Sequence, residues 1–333
     1  MKEAIVKSGP EVEIVDSPVP EPNDDQLLIK VVVSGSNPKD WKLPEWLNMP
    51  GNTGDDIAGE VVKVGKNVTE FKQGDRVFAF HEMTKPGGSF AEYALAWQHT
   101  TAHLPANTSF EEGAAVPLAA LTAAVGLYRH LNLPQPWTPA TDETPLVIYG
   151  AASAVGIYTV QLAKLAGISP LICIAGKSIA HVESFLDTKK GDVIIDYREG
   201  DEAIVEGIKK AANGRKLLHA YDAVSEHGSW ENLSKALSPG ATITTVLPTK
   251  HEEVIPESIK ISRTMVGSVH EEDKDLGFVY MRYFARGLQQ GFFKPQPQTV
   301  VPGGLNGVKE GLSNLKEGKA NAVKFVFRIA ETS

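Results

Sequence analysis

The chain has 333 residues, 42% of them hydrophobic and 22% charged, the composition of a soluble globular protein with room for about two domains. A formal net charge of −8 argues against nucleic acid or an acidic membrane surface as the main partner, and no apolar stretch reaches the length of a membrane span. The single cysteine, Cys173, excludes an intrachain disulfide, and its place within an apolar run reads as core filling.

In chain order, the opening MKEAIVKSG has no apolar signal region, and the expected location is cytoplasmic. Residues 1–118 are rich in Val, Gly, Pro and Asp, with period-two runs such as QLLIKVVVSG and GEVVKVG, which predict a small twisted β domain. Residues 119–272 alternate strand and helix. LVIYG, PLICIA, DVIID, LHAYDAV, ATITTVL and TMVGSV read as the strands of a doubly wound parallel sheet. The Pro- and Thr-rich segment 133–145 is an exposed loop before the first of them. Residues 273–333 return to mixed character and end in the strand-like AVKFVFRI, and there is no internal repeat.

Between the first of these strands and the helical IYTVQLAKLAG lies GAASAVG, Gly150 to Gly156. A strand, a tight small-residue turn and a helix start set backbone N–H groups against a dinucleotide pyrophosphate, which assigns Ala152, Ser153, Ala154, Val155 and Gly156 to cofactor binding. A plain βα turn is the other reading, because Ser153 and Ala154 stand where GxGxxG has its middle glycine. After the second strand, where NAD enzymes place an acid on the ribose 2′-hydroxyl, the chain offers Gly176, Lys177 and Ser178, with no carboxylate before Glu183. A cation and a hydroxyl suit a 2′-phosphate, so the expected cofactor is NADP(H); the competing reading of Lys177 is a solvated surface lysine. Tyr197 and Arg198, after the third strand, border the same place.

Successive motifs SGSNPKDWK at 34–42, GDDIAGEVVKVG at 54–65, FKQGDRVFAF at 71–80, GSFAEYA at 88–94, LPANTSFEEGAAVPLAALTAA at 104–124, the nucleotide turn and KANAVKFVFRI resemble the medium-chain dehydrogenase/reductases. The similarity is to the zinc-free quinone oxidoreductase and enoyl reductase branch, which includes fungal enoyl reductases acting in trans on polyketide synthases. It implies an α/β protein: a GroES-like β domain from residues 1–118 and 273–333, and an inserted Rossmann domain, 119–272, for NADP(H). In zinc-dependent relatives a first-loop Cys and a later GHE-like segment hold the metal. Here those positions read Ser36 and Asn37, then Gly54, Asp55 and Asp56, and one cysteine cannot build either zinc site in its usual form. His81-Glu82 and His270-Glu271 lack the second His of HExxH, so no metal is expected.

The resemblance further implies that Asn37 and Lys42 in the NPKDWK loop, with Thr122 in ALTAA, serve catalysis. Lys42 would donate to an enolate oxygen or deliver a proton through water. Surface solvation of Lys42 and a backbone-bonded Thr122 are the structural readings. Backbone at Ser268 and Val269, placed at the end of the sixth strand, and at Leu247 after the fifth would meet the nicotinamide; Lys324 is a further cofactor candidate. Asp222 reads as structural, and Asp55 and Asp56 point to opposite faces of their strand. The implied reaction is NADPH-dependent, zinc-independent reduction of an activated C=C bond, in an enone or enoyl thioester, or of a quinone. Alternatives are a carbonyl reductase or alcohol dehydrogenase, and a non-catalytic NADPH-binding protein. The partners expected are a small-molecule substrate and an acyl carrier or polyketide synthase, with the chain a monomer or a homodimer; TMVGSVHEED, 264–273, either serves as the pairing edge or deters pairing by its acidic end. Loops 43–53 and 81–87 would set substrate size. No Tyr has Lys four residues later, which excludes a short-chain dehydrogenase, and Leu171 breaks a P-loop pattern ahead of Gly176-Lys177-Ser178.

Overall fold

The computed structural model of the protein describes residues 1–249 and 254–333, and the chain forms two compact units, Met1–Leu118 with Gly267–Ser333, and Ala119–Val266. The first unit opens with the antiparallel pair β1 (Lys2–Lys7) and β2 (Glu11–Asp16). Its central strand is β3 (Gln26–Gly35), almost wholly buried, and the helix α1 (Pro38–Leu47) follows it directly. Asn-Pro starts this helix for a local reason. Asn37 is the N-cap, Pro38 fills the first helical position where an N–H is not needed, and the Asp40 carboxylate accepts the Asn37 N–H at 2.7 Å. The NPKDWK segment is therefore a helix start and not a loop. Strands β4 (Asp56–Val64), β5 (Arg76–Phe80), β6 (Tyr93–Trp97) and β7 (Thr101–His103) and the short helix α2 (Phe110–Ala114) complete this stretch.

Helix α3 (Pro117–Ala124) leads into the second unit and passes into a π-helical turn at Val125–His130. Then β8 (Leu146–Tyr149), α4 (Ala154–Leu165), β9 (Leu171–Ala175), α5 (Ile179–Glu183), β10 (Val193–Asp196), α6 (Asp201–Ala212), β11 (His219–Asp222), α7 (Ser229–Ala236), β12 (Thr242–Thr245) and β13 (Lys260–Arg263) follow. The strands form a six-stranded parallel sheet in the order β10-β9-β8-β11-β12-β13. The order reverses at β8, so the chain leaving β8 sits at the switch point where such sheets bind ligands. Register puts Tyr149 level with Ile174 and Asp222, Ala175 level with Asp196, and Asp222 level with Thr245, so the turns after these strands share one edge. Val147, Ile172, Ile174, Ile204, Ile208, Leu233 and Ile243 make the core beneath it.

The sixth strand departs from the sequence reading. It is KISR, 260–263, while Val266–His270 is a 3₁₀ turn. As an edge strand, β13 is only half buried and lacks the continuous apolar run of the inner strands; TMVGSV has that run because Val266 and Val269 are buried in the turn. The sheet edges are β10 and β13, so segment 264–269 is not an edge available for pairing. The chain rejoins the first unit at Gly267, where the sequence reading put the return after 272.

The last stretch adds α8 (Lys274–Gln290), β14 (Gln298–Val300), α9 (Val308–Lys316) and β15 (Lys324–Arg328) to the first unit. Strand β15 pairs antiparallel with β3, giving the order β14-β15-β3-β4-β5-β7 with β6 also on β3. Ile29, Val31, Ile57, Val77, Phe90, Leu305, Leu312 and Phe327 fill its core. Among the described residues no helix is long and apolar enough to cross a membrane.

Candidate active site

The turn after β8 is built for close approach. Gly156 lies in the first turn of α4, and a Cβ there would stand 2.2 Å from the Gly150 carbonyl oxygen, so only glycine lets the helix start this near its strand. Ser153 is the N-cap of α4, and its hydroxyl accepts the Gly156 N–H at 3.0 Å. Ser153 thus replaces the missing middle glycine with a capping bond, while Ala152, Ala154 and Val155 keep the turn small.

Along the same edge, Gly176, Lys177 and Ser178 follow β9, and Lys177 is exposed. Tyr197, after β10, lays its ring over Gly176, where a Cβ would sit 2.3 Å from a ring carbon. Arg198 is already engaged. Its Nε lies 2.8 and 2.9 Å from the two Asp196 oxygens, and that contact holds the Asp196 carboxyl down to about 2. The Arg198 guanidinium thereby balances the ionised Asp196 carboxylate, and Lys177 stands exposed next to Gly176. Leu247 follows β12, half-buried. Asp222 ends β11 and accepts from the Val224 N–H (3.0 Å), the Ser225 N–H (2.8 Å) and the Ser229 hydroxyl (2.5 Å). Its burial still pushes the carboxyl up to about 6, as suits a group that fixes the turn after β11.

In the first unit, Asn37, Asp56 and Lys324 form one buried cluster. Asp56 Oδ2 accepts from Asn37 Nδ2 at 2.8 Å and Lys324 Nζ at 2.6 Å, Asn37 Oδ1 accepts from Lys324 at 2.7 Å, and Asp56 Oδ1 accepts the Leu118 N–H at 2.7 Å. The cluster ties α1, β4, β15 and the start of α3 together. Asn37 and Lys324 therefore have their polar atoms bonded internally, which departs from their reading as substrate and cofactor contacts. Lys42 is buried on α1 with its ammonium 5.5 and 5.3 Å from the Trp41 and Trp46 ring centres. Thr122 is buried on α3 in the second unit, and its carbonyl accepts the Tyr221 hydroxyl at 2.7 Å just before the π-helical turn. Ser268 and Val269 lie in the 3₁₀ turn of the first unit, not at a strand end. The Val269 carbonyl is bonded to His99 Nε2 at 3.0 Å, and Ser268 Oγ is buried without a partner among the described residues.

Comparison with known proteins agrees with this architecture. Residues 23–106 match the alcohol dehydrogenase GroES-like domain. The trans-enoyl reductase fsr4 of Gibberella fujikuroi is 51% identical over 312 residues, covering 92% of each chain. The chain belongs to the medium-chain dehydrogenase/reductase family. The trans-enoyl reductase resD of Aspergillus sclerotiorum is 32% identical over 98% of this chain and all of its own. Among solved structures, an alcohol dehydrogenase superfamily protein from Novosphingobium aromaticivorans superposes with a TM-score of 0.82 at 20% identity (98% of this chain, 99% of the other). The CurK enoyl reductase gives 0.79 at 18% identity over 98% of both chains.

As a member of this medium-chain family the protein is an oxidoreductase that uses a nicotinamide cofactor. Its GroES-like unit contains no group of three or more His, Cys, Asp or Glu side chains placed to hold a metal, among the described residues. Both ring nitrogens of His81 face backbone carbonyls, of Leu95 at 2.8 Å and Lys85 at 3.0 Å. His270 packs on Phe80 and is kept neutral, its pKa brought down to about 3 chiefly by burial. Cys173 is fully buried in β9, and burial raises its thiol pKa well above the ordinary range.

One cluster escapes the sequence reading. Lys39, on α1, places its ammonium 3.0 Å from Asp40 Oδ1 and in contact with Asp55 Oδ2 and the Thr53 carbonyl. Lys39 also lines a pocket of ≈ 240 Å³, walled by Leu43, Leu47, Met49, Pro50, Thr84 and Pro86, so loops 43–53 and 81–87 do meet around one space. The only sequence signal was a charged Lys-Asp pair at a helix start, a pattern usually solvated. Its burial depends on Thr53 and Asp55 folding back over α1.

Proposed function

We propose that the protein is an NADPH-dependent, zinc-independent enoyl reductase that saturates the C=C bond of an enoyl thioester. The 51% identity over 92% of the chain to a trans-enoyl reductase carries this reading. The residues fit the cofactor: the Gly156 cradle and the N-terminus of α4 suit a pyrophosphate, and exposed Lys177 with Ser178, the Asp196 carboxylate being paired to Arg198, suits a 2′-phosphate. A reduced nicotinamide bound there would supply hydride to the β carbon of the substrate. Lys42 and Thr122 are our candidates for hydrogen bonding the thioester oxygen as negative charge develops on it. Asn37 and Lys324 act one step back, holding the start of α1, and hence Lys42, in place. We infer that the acyl group reaches the protein on an acyl carrier or a polyketide synthase, in keeping with the similarity to enzymes named as trans-enoyl reductases.

The test is consumption of NADPH and, in parallel, NADH by chelator-treated protein offered crotonyl pantetheine, a quinone and an aldehyde. Turnover of the thioester with NADPH, undiminished by the chelator, is expected. Turnover of the aldehyde alone, or loss of activity that returns with zinc, overturns the proposal.

A further inference from the structure

His81 follows β5 directly and is 2% exposed. Its Nδ1 lies 2.8 Å from the Leu95 carbonyl oxygen and its Nε2 lies 3.0 Å from the Lys85 carbonyl oxygen. A carbonyl oxygen only accepts, and a neutral imidazole has one N–H, so a neutral ring would set a bare nitrogen against one of the two. The imidazolium, with an N–H on each nitrogen, makes both bonds. Its surroundings suit that charge. The His81 backbone N–H donates to the Asp55 carbonyl at 2.9 Å, and the Asp55 carboxyl is sealed in nearby, where burial raises it and the charges of Lys39 and His81 draw it back. Lys39 faces both Asp40 and Asp55, and a second cation balances the second carboxylate. From the turn after β13, His270 presents a ring that burial keeps neutral, so it adds no opposing charge. Within the loop, Glu82 accepts the Trp97 Nε1–H at 2.7 Å, and Lys85 is exposed.

The two acceptors differ in how firmly they are held. Leu95 sits within β6, level with Leu28 of β3, and its own N–H donates to the Gly87 carbonyl at 2.9 Å. Lys85 belongs to the exposed run 84–86, which lies between buried His81 and buried Gly87. Among the described residues, the bond to His81 is the one that ties 83–86 to any residue outside 82–87. Thr84, a β-branched residue, is held there at φ 64°, in the left-handed region, so the run relaxes when it is let go. Thr84, Lys85 and Pro86 also form part of the wall of the ≈ 240 Å³ pocket. We propose that residues 82–87 are a flap latched by the doubly protonated His81 ring, which fixes this wall of the pocket while both protons are bound and frees it when one leaves. The proton given up passes to water. The remaining N–H stays on Leu95, whose strand does not follow, and the bare Nε2 turns the Lys85 carbonyl away. Because the latched form binds the extra proton, acid closes the flap and base opens it. The latch does not depend on the enoyl-reductase reading.

Two measurements on the full chain test this. Nuclear magnetic resonance of the chain labelled with ¹⁵N at histidine should show both ring nitrogens of His81 protonated at pH 5 and one of them bare at pH 9. Hydrogen exchange at the Lys85 N–H, which donates to the Glu82 carbonyl at 3.2 Å, reads the flap itself. Corrected for hydroxide catalysis, its protection should fall about ten- to a hundredfold from pH 5 to pH 9, the range for one charged hydrogen bond. The Val31 N–H, bonded to the Glu92 carbonyl within the sheet, should show no such fall. His81→Gln cannot donate to both carbonyls, and its Lys85 N–H should be poorly protected at both pH values. A His81 ring with a bare nitrogen at pH 5 would overturn the proposal, and needs no variant to be seen. So would Lys85 protection that stays level to pH 9, or a His81→Gln chain that keeps the wild-type fall.

Discussion

Lys177 and Lys324 show how differently two lysines of one chain are placed. Lys324 is 4% exposed, its ammonium shared between Asp56 and Asn37, and removing one partner of such a pair generally costs about 3–5 kcal/mol. Lys177 stands exposed on the nucleotide edge beside Gly176. Lys177→Ala should therefore weaken NADPH binding roughly ten- to a hundredfold, the range for a charged hydrogen bond of about 1.5–3 kcal/mol, and leave NADH binding unchanged. Calorimetric titration with both cofactors decides it, and an equal loss for the two would remove Lys177 from 2′-phosphate recognition. The position of Lys177 was legible because it follows a strand that its own apolar run identifies. The partners of Lys324 were not, since Asp56 lies 268 residues away along the chain and only the pairing of β15 with β3 brings them together. The Lys39 cluster was illegible for a different reason: its partners are near in sequence, but only the return of Thr53 and Asp55 over α1 buries them.

Elements announced themselves in proportion to their burial. Strands β8 and β9 are buried on both faces and appear as unbroken apolar runs, whereas edge strand β13 carries Lys, Ser and Arg and passed unnoticed beside the more apolar TMVGSV. Helix α1 had an Asn-Pro start signal that a loop reading overlooked. The start of α4 shows how capping and close approach divide the work of the nucleotide turn. Ser153→Ala removes the hydroxyl that accepts the Gly156 N–H and should cost about 1 kcal/mol, while Ser153→Gly should cost only a few tenths. Gly156→Ala drives a methyl against the Gly150 carbonyl and should cost more than either, about 1–3 kcal/mol, with loss of cofactor binding. Urea denaturation of the three variants gives the order directly; a Gly156→Ala chain as stable as Ser153→Gly would mean that α4 is free to shift away from β8.

Across the whole chain, buried acids and buried histidines set opposing pH dependences. Burial raises Asp40 and Asp222, to about 7 and about 6, and Asp55 upward. The native state then holds protons that the unfolded chain has released, so stability falls as pH rises from the ordinary Asp value of 3.8 through each folded value. Burial lowers His99, His219 and His270, the last to about 3. For these the unfolded chain takes up protons first, so their contribution is complete above 6.5 and is lost as pH falls. Acidification from neutrality therefore gains stability at the aspartates while losing it at the histidines, and the sum is muted. Asp222→Asn should unmask the second set in the unit that also holds His219. At pH 7 the variant loses hydrogen-bond geometry but no longer buries a charge. By pH 4.5 the wild type has gained from protonating Asp222, and the variant should lag by about a further 2 kcal/mol, at about 1.4 kcal/mol per pH unit below 6. Chemical denaturation of both proteins at the two pH values measures this. A difference that stays constant with pH would show that Asp222 is ionised in the native state throughout, its three donors outweighing its burial.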